Sequence, residues 1–231
     1  MNIGIIGDGD TDRLILLKIV KSIVPWDVNE VPIQRQSFRV AIDKYWQNSN
    51  ENDFWFPHNS ANELKKKVSE ILYAAFNDFQ YNSGNVTDND ILIASTDTER
   101  HLNNPDFFFE WWAFSLTKIF ISGIESFYHY MIHHQSRGKE NLPLIIPILP
   151  FPSTDILVAA ARNMSGYYGR KPNELKRMLY DTDNLRTIPP EDFEDLALKH
   201  ITPDSINLIF KHIPESRPFI NFLSALARTG Q

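Results

Sequence analysis

The chain has no cysteine, which excludes a disulfide framework and a thiolate metal site and leaves the redox compartment unread. Long apolar runs are missing too: none reaches membrane-spanning length. Met1-Asn2-Ile3 lacks the basic and apolar regions of a signal peptide. The expectation is a cytoplasmic protein with no membrane partner. No Gly-Lys-Ser/Thr sequence occurs, so a Walker phosphate loop is absent and any ATP hydrolysis would have to come from a partner. There is no internal repeat and no low-complexity tract. Positive charge is in deficit, with 23 Lys and Arg against 29 Asp and Glu and a net charge of −6. That balance argues against attraction of nucleic acid to the whole surface, while a local basic strip stays compatible with it.

What is present fits a globular fold. The 231 residues are 42% hydrophobic and 13% aromatic, enough to bury a sizeable core. Ile3 to Gly7 reads as a short buried strand and Thr11 to Val24 as the helix after it, ended by Pro25. Val31 to Phe38 suggests a strand and Phe38 to Trp46 a short helix. Ser60-Ala61-Asn62-Glu63 has capping-box spacing, and Leu64, Val68, Ile71, Leu72, Ala75, Phe76 and Phe79 then form one helical stripe.

Ile91 to Ala94 reads as a second buried strand, and Pro105 to about His134 as a long aromatic helix. In that helix Phe107-Phe108-Phe109-Glu110-Trp111-Trp112 is assigned to packing, and His133-His134 to the favourable field of the helix C-terminus. Leu144 to Leu149 supplies a third strand, whose flanking and internal prolines suggest an edge position. Further helices are expected at Asp155–Asn163, Glu174–Tyr180, Glu191–His200, Ser205–His212 and Pro218–Arg228. Such alternation predicts an α/β fold with a parallel sheet, whose ligands gather at the carboxyl ends of the strands.

Chemistry concentrates at those strand ends. The first strand runs into Asp8-Gly9-Asp10-Thr11-Asp12 and the second into Ser95-Thr96-Asp97-Thr98-Glu99-Arg100. Close carboxylates repel by up to about 4 kcal/mol per pair at an effective dielectric near 20, so crowding them calls for a compensating charge. An oxygen-only donor set suits Mg²⁺ or Mn²⁺. Capping offers a plainer reading, with Asp10 as a cap and Asp12 favouring the helix dipole. A calcium loop of the EF-hand type fits less well, because counting from Asp8 puts Arg13 and Ile19 where glycine and glutamate belong. A dinucleotide fingerprint would need a third glycine where Asp12 stands.

In these motifs the chain resembles the TOPRIM family. Asp8 matches the family's catalytic glutamate, Gly9 its glycine and Asp12 its downstream aspartate, while Asp97 and Glu99 match its metal-holding pair. Pro150-Phe151-Pro152-Ser153-Thr154-Asp155 resembles the third segment of small stand-alone bacterial TOPRIM proteins, often encoded beside ATPases and associated with phage defence. Ser216 to Leu223 resembles their C-terminal end.

The resemblance implies a TOPRIM or Rossmann-like parallel sheet flanked by helices over residues 1–163, with residues 164–231 a helical C-terminal portion packed on it. It implies metal-dependent cleavage of phosphodiester bonds in DNA or RNA. Asp8, Asp97 and Glu99 would be catalytic, and Asp8, Asp12, Asp97, Glu99 and Asp155 the candidate ligands of Mg²⁺ or Mn²⁺. Aspartate stands where the family has glutamate at Asp8, and glutamate where it has aspartate at Glu99. These exchanges motivate the alternative of a catalytically silent subunit that binds an ATPase or toxin partner. Tyr167, Tyr168, Arg170, Lys171, Lys176 and Arg177 combine rings, cations and flexible glycines, and are the candidates for nucleic-acid contact.

Overall fold

The computed structural model describes residues 1–34, 37–46, 58–97, 109–151, 153–167, 170, 172–184 and 189–229. In chain order the elements are β1 (Asn2–Ile6), α1 (Asp10–Ile23), β2 (Asn29–Glu30), α2 (Phe38–Trp46) and α3 (His58–Ser83). Next come β3 (Ile91–Ser95), α4 (Phe109–His133) and β4 (Leu144–Ile148). The rest is helical: α5 (Asp155–Ala161), α6 (Pro172–Tyr180), α7 (Pro190–His200), α8 (Ile206–His212) and α9 (Arg217–Thr229). The fold is α/β, with a parallel four-stranded sheet in the order β2-β1-β3-β4 flanked by helices. β4 occupies an edge, where the missing N–H of Pro147 interrupts least pairing.

The chain divides into two compact units, one of Met1–Asp8, Asn29–Thr96 and Arg100–Pro147, the other of Gly9–Val28, Asp97–Glu99 and Ile148–Gln231. This grouping differs from a linear boundary after residue 163. α1 buries Ile15, Leu16, Leu17, Ile19 and Val20, and it packs on α7, α8 and α9.

In the first unit β1 and β3 lie side by side in register, Ile3 opposite Ile91 and Ile6 opposite Ala94. Ile3, Ile6 and every residue of β3 from Ile91 to Ala94 are almost fully buried, as strands covered on both faces require. Gly4 leaves no room for a side chain, since an added Cβ would stand 2.6 Å from Leu92 Cδ2 and 2.7 Å from Phe79 Cδ2. The buried Asp90 carboxylate anchors the start of β1 by accepting the N–H groups of Asn2 at 2.8 Å and Thr87 at 3.0 Å.

No strand forms among the described residues of the expected Val31–Phe38 strand. The pairing is confined to Asn29 and Glu30, and the chain then turns past two exposed polar contacts, Gln34 N–H to Asp78 and the Asn82 amide to the Pro32 carbonyl. α2 matches its expected span. α3 buries the whole expected stripe from Leu64 to Phe79, but it begins at His58, so Ser60 lies inside the helix and does not cap it.

α3 packs on α4. Gly123 makes the approach possible: a Cβ there would lie 2.6 Å from Val68 Cγ1 and 3.1 Å from the Lys65 carbonyl oxygen. Tyr128 joins α4 to the edge of the sheet. Its hydroxyl donates to the Pro143 carbonyl at 2.7 Å and accepts the Ile145 N–H at 2.9 Å, and burial pushes the phenol pKa above its ordinary value.

In the second unit α5 is the central helix, all seven of its residues buried, with α6, α7 and α8 packed around it. It ends at Ala161 and not at Asn163, because Asn163 adopts a left-handed conformation (φ 51°) that closes the helix. The Met164 N–H returns to the Ala159 carbonyl at 3.1 Å. α9 buries Phe219, Ile220 and Leu223 on one face. No helix among the described residues is long and apolar enough to cross a membrane.

Tyr128→Phe removes a donor and an acceptor while preserving shape. It is expected to lower unfolding free energy by about 1–3 kcal/mol, read from the denaturant midpoint. An unchanged midpoint would show that this link between α4 and the start of β4 carries no stability.

Candidate metal and phosphate site

Parallel pairing brings the ends of β1 and β3 to the same edge of the sheet, so Asp8 and Thr96 leave it together. The Thr96 hydroxyl donates to Asp8 Oδ2 at 2.7 Å, and the Ser37 hydroxyl donates to Asp8 Oδ1 at 3.1 Å. Two neutral hydroxyls therefore fix the orientation of the carboxylate, one on each oxygen.

The second unit gathers another set of acids around the residue before α5. The Thr154 hydroxyl donates to Asp12 Oδ1, and the Thr154 backbone N–H donates to Asp97 Oδ1 at 3.1 Å. Thr154 is 1% exposed and is the N-terminal flank of α5, yet its hydroxyl makes no capping bond to that helix. It is spent on Asp12. Segments 142 and 57 residues distant in sequence thus bring a carboxylate each to one threonine.

Asp155, the next residue, is buried, with the Ser153 hydroxyl 3.1 Å and the Lys176 ammonium 3.6 Å from its Oδ2. Asp10 goes elsewhere. Its side chain is 85% exposed and faces Arg13 at 3.9 Å, so the structure leaves it outside this group.

The other expected residues are placed as follows. Arg170 is exposed, its Nε donating to the Gly166 carbonyl at 3.0 Å and its guanidinium 4.0 Å from Glu174. Arg177 is exposed on α6. Tyr167 is corrected: at 7% exposure its ring is enclosed by protein and offers no face to a base. Lys176 turns toward Asp155, a pairing that sequence reading gave no hint of. Glu99, Tyr168 and Lys171 lie outside the described residues, as do the side chains of the Phe107–Trp112 run.

Residues that the sequence did not single out complete the surroundings. Arg162 donates to the Leu179 carbonyl. Burial, and then the Asp155 carboxylate, push the Tyr180 phenol well above its ordinary pKa, against the opposing effect of Arg162. His200 is shifted down from 6.5, first by burial and then by the cations Arg162 and Lys199. Thr154 itself carried a usable signal, a hydroxyl residue between the third strand and an acidic helix start, but its partners are distant in sequence.

The groups that meet at Thr154 are the carboxylate oxygens of Asp12 and Asp97, and oxygen donors suit Mg²⁺ or Mn²⁺, which bind through one or two carboxylates and keep several waters. Among the described residues no group of three or more His, Asp or Glu side chains is arranged to hold a metal ion. Comparison with protein-family models, with curated proteins and with solved structures found no match.

The lowered His200 pKa has a consequence for acid stability. Below about pH 6.5 the unfolded chain takes up a proton at this residue more readily than the folded protein does, so stability falls as pH falls. His200→Gln is expected to narrow the loss of thermal stability between about pH 7.5 and pH 5.5. A loss of the same size in the variant would contradict the assignment.

Proposed function

We propose that this protein is a divalent-metal-dependent phosphodiesterase acting on DNA or RNA, with Asp12 and Asp97 as the ligands that recruit Mg²⁺ or Mn²⁺. One observation carries the reading: both carboxylates are drawn to Thr154 through neutral donors, one hydroxyl and one N–H. Two carboxylates gathered at one residue repel each other, and a divalent cation bound between them would offset that repulsion. A metal bound there would polarise a phosphate oxygen and lower the pKa of a coordinated water.

The chain's own residues do the rest. Thr154 holds the two carboxylates in place, and Lys176 balances Asp155 so that this buried acid stays ordered beneath α6. The TOPRIM resemblance supports the same chemistry and gives Asp8 the role of positioning or deprotonating water. The two hydroxyls on Asp8 would hold it ready for that task.

A second reading is a catalytically silent subunit that docks an ATPase or toxin partner, in a phage-defence setting as the resemblance suggests. The Lys176–Asp155 pair favours it, because an acid already facing an ammonium group at 3.6 Å has less to offer a metal.

Plasmid and single-stranded RNA incubated with the purified protein and Mn²⁺ or Mg²⁺ separate the readings. The expected outcome is cleavage that Asp97→Asn reduces by at least about 100-fold, the range of a lost transition-state interaction, while the fold is kept. Substrates left intact under both metals would overturn the nuclease and favour the docking subunit. Thr154→Val, which removes only the hydroxyl, is expected to weaken Mn²⁺ affinity by about tenfold or more, as loss of an outer-shell partner does. Isothermal titration of Mn²⁺ checks it, and unchanged affinity would remove Thr154 from the site.

A further inference from the structure

The exposed end of α4 carries a second constellation, independent of the acids around Thr154. His129 and His133 stand four residues apart, one above the other on the same helix face. Their ring centroids are 4.5 Å apart with the ring planes tilted by 45°. Both side chains are exposed. His133 is the last residue of the helix, where the carbonyl ends favour positive charge. His129 supplies His133 with a ring partner one helical turn away.

The geometry can be tested against coordination chemistry. A metal bound at about 2.0–2.1 Å from an imidazole nitrogen lies roughly 3.2 Å from the ring centre, so centroids about 4.5 Å apart subtend close to 90° and a tetrahedral angle needs about 5.2 Å. The observed spacing is compatible with two ligands on one ion, once rotation of the rings brings a nitrogen of each onto it.

His134 is differently engaged. Its centroid is 6.1 Å from that of His129, and its ring stacks on Tyr130 at 5.5 Å. The Tyr130 hydroxyl in turn accepts the Gln135 amide at 2.9 Å.

We propose that His129 and His133 form a two-histidine site for a late first-row divalent cation such as Zn²⁺, Ni²⁺ or Cu²⁺. Imidazole nitrogen selects these ions over Mg²⁺ and Mn²⁺, which prefer oxygen. With two protein ligands the remaining positions belong to water or to an incoming donor, so the site is open.

Isothermal titration of the full chain with Zn²⁺ alone and with Ni²⁺ alone, in a non-chelating buffer near neutral pH, tests the proposal. A saturable site that depends on His129 and His133 is expected, separate from any binding of the same ions at Asp12 and Asp97. Its affinity falls at least about tenfold in His129→Ala and in His133→Gln, and stays within about twofold in His134→Ala and Asp97→Asn, tenfold being the loss of roughly 1.4 kcal/mol of binding. Absence of Zn²⁺ and Ni²⁺ binding, equal binding in the His129 and His133 variants, or a loss in Asp97→Asn of the same size would overturn it. The positions are exposed, and circular dichroism of each variant confirms that the helix is intact.

Discussion

Thr154 is the residue on which the chemistry of the second unit turns. It gives its hydroxyl to Asp12 and its N–H to Asp97, tying the first turn of α1 and the segment after β3 to the start of the buried helix α5. A threonine at a helix start usually caps its own helix. Here the hydroxyl is diverted, and two negatively charged groups are positioned by it. Two carboxylates brought to one residue repel each other, and the proposed function assigns a divalent cation to that pair.

The burial of α5 sets the second constraint. A helix whose residues are all enclosed cannot carry an acid without partners, and Asp155 receives the Ser153 hydroxyl and the Lys176 ammonium. Charge is thereby balanced locally. The same enclosure keeps the Tyr180 phenol neutral beside that carboxylate and discourages protonation of His200 beside Arg162. In the sheet unit Asp90 and Asp8 are handled differently, each held by N–H or hydroxyl donors at the beginning and at the end of the strand pair β1 and β3.

Most of the secondary structure could be read from the sequence because its signals are local. Continuous apolar runs marked β1, β3 and β4, and the Leu64–Phe79 stripe marked α3, since burial of one helix face leaves a periodic trace. β2 was misplaced because a two-residue strand leaves no such trace, while the apolar Val31 and Ile33 lie just beyond it. Tyr167 shows a different limit: flanking glycines and cations suggested a surface segment, but burial is decided by tertiary packing. The two halves of the candidate site differed in the same way. The acids were legible because they end strands, whereas Thr154 and the Lys176–Asp155 pair depend on contacts between segments remote in sequence. His129 and His133 carry a signal only as an i, i+4 pair, which depends on the helix that places them on one face.

The most direct measurement of the central claim is anomalous scattering from a crystal soaked in Mn²⁺. The account predicts a peak beside Thr154, with carboxylate oxygens of Asp12 and Asp97 about 2.0–2.2 Å from the ion. Both carboxylates remaining on Thr154 at saturating Mn²⁺, with no peak between them, would contradict it.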